Sequence, residues 1–358
     1  MATFFTPGPA QLYPTFEKHL RHFLENDLGS ISHRSQTYRD IHAFTVAQIR
    51  QLLNVPDSHA VLFLGSASEI WERIILSTVR NRSFHLVNGS FSKKFFQYAA
   101  AAGKTPAKIE KPLGEGFFYK ELDVPHGTEL LCITHNETSS GVQFPVEDIH
   151  RLKDDHPSVM LAVDMVSSAP YPMLDYNRVD TAFFSVQKAF GLPAGLGVWI
   201  VNEKCLLKAN QLRDVDQISI GAHHDLPTLW KNAQKNETPA TPNVMLIYLL
   251  GKIAEDMNAY GVERIRKETE EKAQLLYQFA ENTKGFSPFV EEDNFRSKTV
   301  AVINTELPAQ EIIGQLRQKG LIVGSGYGDK KSSQIRIANF PATNRAQIEQ
   351  LILELANI

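Results

Sequence analysis

The sequence predicts an α/β fold: a mainly parallel sheet covered by helices, with a smaller α/β layer at its C-terminal end. Three observations carry that expectation. Short apolar runs alternate with helix-like segments from residue 60 to residue 201, and such alternation lays strands side by side with crossover helices on both faces. Polar or aromatic residues follow five of those runs: Ser66, Phe91, Thr138, Asp164, and the pair Gln187 and Lys188. In a parallel sheet such residues share one rim, and ligands bind there. The chain has 358 residues, 43% of them hydrophobic, which is enough for a sizeable core and too long for one ordinary small domain. A large domain is expected over residues 15–255, and a small one from residues 1–14 together with 256–358.

Taken in order, Thr6-Pro7-Gly8-Pro9-Ala10 reads as an extended, turn-rich arm. Residues 14–27 alternate apolar and charged positions at helical spacing, residues 31–35 form a polar loop, and residues 38–53 are helical again, stopping before Pro56. Residues 60–64 are a short apolar strand, followed by Gly65-Ser66-Ala67-Ser68 and a helix over about 69–79. Strand, small polar turn and helix together aim backbone N–H groups and serine hydroxyls at a phosphate. The same residues also make an ordinary serine N-cap with Glu69 in the first turn. A strand at 84–89 opens onto Phe91 and an alanine-rich helix ending at Gly103. Residues 104–128 read as irregular, 129–134 as a strand, 146–154 as a helix. Strands follow at 159–163, ending in Asp164, at 181–186, ending in Lys188, and at 197–201. Residues 215–242 read as loop. The adjacent His223 and His224 have no further ligand nearby in sequence, so no metal site is expected. Helices over about 243–259 and on to 282 lead to the small layer, with strands near 299–303, 321–323 and 334–338 and helices near 308–319 and 344–356.

Composition excludes several classes. The net charge of -3 leaves no general basic surface for nucleic acid or anionic membrane. Cys132 and Cys205 are the only cysteines and both lie in apolar runs, so there is no disulfide framework, which fits a reducing compartment. Residues 1–10 lack a basic stretch and a long apolar stretch and do not read as a signal peptide. No run approaches the ~18 apolar residues of a membrane span. A cytoplasmic protein is the expectation.

Lys188 is the residue that needs explaining. A lysine at the mouth of a buried strand either snorkels to water or is kept for its amine. Asp164 ends a neighbouring apolar run. An amine and a carboxylate at the same ends of two buried strands are the two fixed points of a pyridoxal 5′-phosphate (PLP) site: the lysine forms the Schiff base, and the aspartate pairs with the pyridinium nitrogen.

Across nearly its whole length the chain resembles the class V, fold type I PLP-dependent aminotransferases, most of all the phosphoserine branch. The resemblance rests on Phe5-Thr6-Pro7-Gly8-Pro9-Ala10, Ser32-His33-Arg34-Ser35, the Gly65–Ser68 loop, Asn88-Gly89-Ser90-Phe91-Ser92-Lys93-Lys94, Asn136-Glu137-Thr138, Asp164, Gln187-Lys188, Thr238-Pro239-Ala240-Thr241 and Ile335-Arg336-Ile337. It implies the PLP-dependent transferase fold type I, with PLP as cofactor. It implies that Lys188 is the Schiff-base lysine and proton carrier, and that Asp164 keeps the pyridine nitrogen protonated. Phe91 stacks on the ring, Thr138 bonds near the phenolic oxygen, and Ala67, Ser68 and Gln187 hold the phosphate. Thr238 reaches that phosphate from a second subunit, so a homodimer with a shared site is expected. Arg336 takes the substrate α-carboxylate, and His33 and Arg34 take a distal anion, a phosphate in the phosphoserine branch.

Three positions depart from that pattern. Gly65-Ser66-Ala67-Ser68 stands where phosphoserine enzymes usually carry a run of glycines, and is also similar to the serine- or alanine–glyoxylate branch. Asp329 and Lys330 stand where relatives often carry a His-Arg pair, so Lys330, or in part Lys331, is the remaining candidate there for the substrate anion. Glu237 precedes Thr238, where a neutral residue is common. It is expected to turn away from the cofactor phosphate.

Overall fold

The computed structural model describes residues 2–358. In chain order the strands are β1 (Thr3–Phe5), β2 (His59–Leu64), β3 (Ser83–Val87), β4 (Ala107–Glu110), β5 (Leu130–Thr134), β6 (Asn136–Glu137), β7 (Val142–Gln143), β8 (Met160–Asp164), β9 (Thr181–Ser185), β10 (Gly197–Asn202), β11 (Phe286–Pro288), β12 (Val300–Thr305), β13 (Leu321–Ser325) and β14 (Gln334–Ala338). Seven of them form one sheet in the order β2-β10-β9-β8-β5-β3-β4. β10 alone runs antiparallel to its neighbours, β2 and β9. The pairings from β9 through β8, β5 and β3 to β4 are parallel. The carboxyl ends of β2, β3, β5, β8 and β9 therefore share one rim.

The central strands are apolar along their length because both faces are covered: every residue of β5 and β9 is buried. On one face lies the core that includes Ile133, Val163, Phe184, Val198 and Leu250. On the other lies the core of Ile70, Trp71, Phe95, Phe183 and Trp199. The helix Val244–Tyr260 belongs to the first of these cores up to Met257, and ends at Gly261, whose positive φ of 97° turns the chain into the helix Val262–Asn282.

The smaller sheet has the order β1-β13-β14-β12-β11. Its core holds Ala301, Ile303, Ile335 and Ile337 together with Leu276, Ile348 and Leu351 from helices and Phe5 from the other end of the chain. β1 pairs parallel with β13, Thr3 opposite Leu321. The arm then runs back across the large domain, where the Ala10 and Tyr13 N–H groups donate to the Gln187 and Gly191 carbonyls.

Two segments differ from the sequence expectation. Residues 104–128 contain β4, an edge strand whose alternating exposure reflects one solvated face. Residues 215–242 contain the helix Leu226–Ala233, started by the Asp225 side chain, which accepts from Thr228 N, and by a proline in its first turn. Among the described residues no helix is long and apolar enough to cross a membrane.

Candidate active site

Five strand ends meet at one cavity. It is lined by Ser66, Ala67 and Ser68 after β2, Phe91 and Lys94 after β3, Asn136 and Thr138 after β5, Asp164 of β8, and Gln187 and Lys188 after β9.

Lys188 is buried and lies 5.9 Å from the Phe91 ring centroid. Its Nζ donates to the Pro7 carbonyl at 2.5 Å. The turn that carries it is held by a stack of Phe190 on Phe184, centroids 4.6 Å apart. Burial, then the nearby Arg336 guanidinium, lower the amine to about 8 against the pull of Asp164 and Glu137. Gly8 passes directly over the amine: a Cβ there would stand 2.4 Å from Nζ, and its φ is +141°.

Asp164 is buried at the end of β8. Trp71 Nε1 donates to Oδ2 at 3.0 Å and Val166 N to Oδ1 at 2.9 Å. Burial nonetheless raises the carboxyl to about 7. A carboxyl so placed has a strong preference for a cationic partner, and a pyridinium nitrogen is one.

One end of the cavity is built from the helix Ala67–Thr78. Ser66 caps it, accepting from Glu69 N at 3.1 Å, and Ala67 N donates to Ser185 Oγ at 3.1 Å. The Ser68 N–H and hydroxyl have no protein partner among the described residues. An unengaged donor pair at a helix N-terminus suits an anion, and Lys94 adds a cation to the same cavity. Amine, buried carboxylate, aromatic face and anion-seeking helix end fit the parts of PLP in order.

Glu137 explains how Phe91 is positioned. This fully buried carboxylate accepts from Phe91 N, Ser92 N and Ser92 Oγ at the start of the helix Ser90–Ala101, and from Ser139 N and Oγ. Five donors and a helix N-terminus replace its water. Gly89 must be glycine because a Cβ would meet Glu137 Cγ at 2.3 Å. The β6–β7 hairpin then turns Thr138 into the cavity.

Arg336, on β14, brings the small sheet to the site. Its Nε donates to Ser325 O at 2.8 Å and its Nη1 to Thr138 O at 3.2 Å. The Tyr327 ring lies with its centroid 5.7 Å from that of Phe91 and 5.4 Å from the Arg336 guanidinium carbon. Tyr327, Trp71 and the Pro7 carbonyl carry no local sequence signal, because each meets its partner only through the fold.

Other expected residues lie apart. Thr238 and Arg34 gather around Glu237, outside the lining of this chain's own cavity, and His33 precedes Arg34 in the same loop. Arg34 Nη1 donates to Glu237 Oε2 at 2.6 Å, and Arg39 donates to Oε1 through Nε at 2.9 Å and Nη2 at 2.6 Å. Thr238 is buried, its hydroxyl on Ala240 O at 2.8 Å. Lys330 does not join the site. It ends the 3-10 turn Gly328–Lys330, lines a separate groove, and stands 5.9 Å from the Phe289 ring centroid. His223 and His224 do acquire a third neighbour in space: His224 Nδ1 lies 2.5 Å from Glu69 Oε1, while Glu69 Oε2 accepts from Gly65 N. That pairing ties the loop to the start of the helix Ala67–Thr78.

A rim of five parallel strand ends, with a lysine facing a buried aspartate under an aromatic side chain, defines a PLP-dependent enzyme of the aminotransferase type. Residues 2–349 match the family model described as "Aminotransferase class-V", and the chain belongs to that family. Its cofactor is PLP. Among solved structures, a phosphoserine aminotransferase from Cytophaga hutchinsonii superposes with a TM-score of 0.98 at 46% identity, covering 99% of this chain and 98% of that one. A phosphoserine aminotransferase of a Nocardioides species is 29% identical over 337 residues, 90% of this chain and 87% of the relative. An alanine–glyoxylate aminotransferase from a Nostoc species shares the fold, with a TM-score of 0.85 at 20% identity over 99% of this chain and 94% of its own.

Proposed function

We propose that the chain is a phosphoserine:2-oxoglutarate aminotransferase, interconverting 3-phosphohydroxypyruvate and glutamate with phosphoserine and 2-oxoglutarate. The observation that carries transamination is the buried pair of Lys188 and Asp164 lining one cavity, with the Arg336 guanidinium near enough to act on the amine. The similarity to phosphoserine aminotransferases over almost the whole chain supports the substrate.

When bound, PLP supplies a carbonyl carbon that captures the amino group and a conjugated ring that takes up the electrons left by the departing α-proton. Ser68, Gln187 and Lys94 would hold its phosphate beside Ala67, whose N–H is given to Ser185 Oγ; Phe91 would cover one face, Thr138 would lie beside its oxygen, and Asp164 would pair with its nitrogen. Lys188 Nζ would take the proton from the substrate α-carbon as general base and give it, as general acid, to the carbon that captured the amino group, the reverse transfer serving the second half of the reaction. It must be neutral to accept, and burial with a pKa of about 8 leaves part of it neutral near physiological pH. Arg336, braced by two backbone carbonyls, keeps its remaining N–H groups for the substrate carboxylate.

In this reading two copies pair, and Thr238, His33 and Arg34 of each complete the cavity of the other. Their clustering around Glu237, away from their own chain's cavity, supports it. The dimer acts in the cytoplasm, consistent with two buried, unpaired cysteines. A panel of oxo acids with glutamate as donor tests the substrate. Turnover should be highest with 3-phosphohydroxypyruvate. Preference for pyruvate or glyoxylate would refute the assignment in favour of a serine- or alanine-type class V aminotransferase.

A further inference from the structure

Glu237 is the feature that the proposed reaction leaves unexplained. It directly precedes Thr238, and each of its carboxylate oxygens is taken by a different guanidinium. Arg39, on the first turn of the helix Gln36–Leu53, is committed to Glu237 through two N–H groups on Oε1. Arg34 is held differently. It gives one N–H to Oε2 at 2.6 Å and another, more weakly, to the Pro239 carbonyl at 3.4 Å. A guanidinium has five N–H donors, and the Arg34 side chain is 43% exposed. Arg39 is thus the anchor of the trio, and Arg34 is the member with donors and surface to spare. The Arg34 loop is itself fixed: Ser32 Oγ accepts from Arg34 N, and Ser35 Oγ donates to Ser32 O while capping the next helix.

Two guanidiniums and one carboxylate leave the trio with a single net positive charge. The Arg39 and Arg34 hydrogen bonds hold Glu237 below the usual carboxylate range, so it remains ionised at neutral pH. A phosphate monoester arriving at Arg34 therefore meets a guanidinium already facing a carboxylate.

Resting on the reading of Arg34 as the ligand of the substrate's distal anion, we infer that Glu237 sets the affinity of that site, tethering Arg34 in place while its charge opposes the incoming dianion. The pairing gives a preorganised but weakened phosphate site, which favours release of the phosphorylated product. Glu237 is a positioning residue here and touches no reacting atom.

The test uses the PLP-loaded enzyme, with inorganic phosphate as competitor of 3-phosphohydroxypyruvate. Glu237→Gln keeps the shape and removes the charge. Its inhibition constant for inorganic phosphate and its KM for 3-phosphohydroxypyruvate should each fall about five- to tenfold, an order of magnitude set by one charge acting on a dianion at a partly exposed site. KM for an unphosphorylated oxo acid should not move, and Glu237→Asp, which retains the charge, should stay near wild type. On an Arg34→Ala background, Glu237→Gln should no longer change the inhibition constant for inorganic phosphate. A rise in KM for both kinds of acceptor, or unchanged phosphate inhibition in Glu237→Gln, overturns the inference and leaves Glu237 a structural brace. If Arg34→Ala alone leaves KM for the phosphorylated acceptor unchanged, the reading of Arg34 fails first and the inference falls with it.

Discussion

Replacing Asp164 by asparagine should abolish transamination and yet strengthen the fold of the cofactor-stripped protein at alkaline pH. Asp164 is buried, and its carboxyl is raised from 3.8 to about 7, chiefly by loss of water and against the hydrogen bonds from Val166 N and Trp71 Nε1. A carboxyl that holds its proton more tightly when folded contributes its full stability below the unfolded value, and that contribution is lost as pH rises through the folded one. At 1.36 kcal/mol per unit, the lost stability should grow by roughly 2–3 kcal/mol between pH 5 and pH 8.5. Asparagine does not titrate. It has one acceptor oxygen for two donors, so either Trp71 or Val166 loses its partner, at about 1–3 kcal/mol at every pH. Near pH 5 these terms roughly offset one another, and by pH 8.5 the variant should be ahead. Urea denaturation of stripped wild type and Asp164→Asn at the two pH values measures this directly. Stability curves that run parallel would refute the reasoning, because they would mean that the ionised carboxylate is not penalised by its surroundings.

Two further outcomes test the site. Gly8→Ala places a methyl group 2.4 Å from Lys188 Nζ; the amine must shift, and kcat should fall by roughly 100-fold, the scale of a 1 Å misplacement of a reacting group, with the circular dichroism spectrum unchanged. Tyr327→Ala removes the ring between Phe91 and Arg336; KM for glutamate should rise by about 3- to 30-fold, the range of one cation–π contact, whereas Tyr327→Phe should stay near wild type in steady-state assays.

The large sheet and its rim were legible in the sequence for a physical reason. Strands buried on both faces are written as largely apolar runs, so the polar residues that follow each run mark a strand end, as at Asp164 and at Gln187-Lys188. What holds those residues was not legible. Trp71 reaches Asp164 from a helix, Glu137 caps a helix that begins far earlier in the chain, and Pro7 offers only a backbone carbonyl. None of these carries a periodicity or a local spacing. β4 was hidden because an edge strand alternates in exposure and resembles loop. Lys330 shows the converse: its distance from Arg336 in sequence matches a substrate-binding position, while the short 3-10 turn that it ends places it along another groove of this chain. Glu69 shows how a pair of histidines with no neighbour in sequence finds one in space.

The pairing of β1 with β13 has a consequence for synthesis. Thr3 leaves the ribosome long before its partner Leu321. Contacts between such distant segments form late, and a chain folding from its N-terminus as it is made must leave residues 3–10 waiting. The large sheet, with Lys188 and Asp164 in place, can assemble well before them. Pro7 and Gly8 reach the Lys188 amine only when the final strands arrive. A nascent or truncated chain should therefore be able to bind its cofactor before it can turn over substrate, and the arm ties activity to formation of the small sheet.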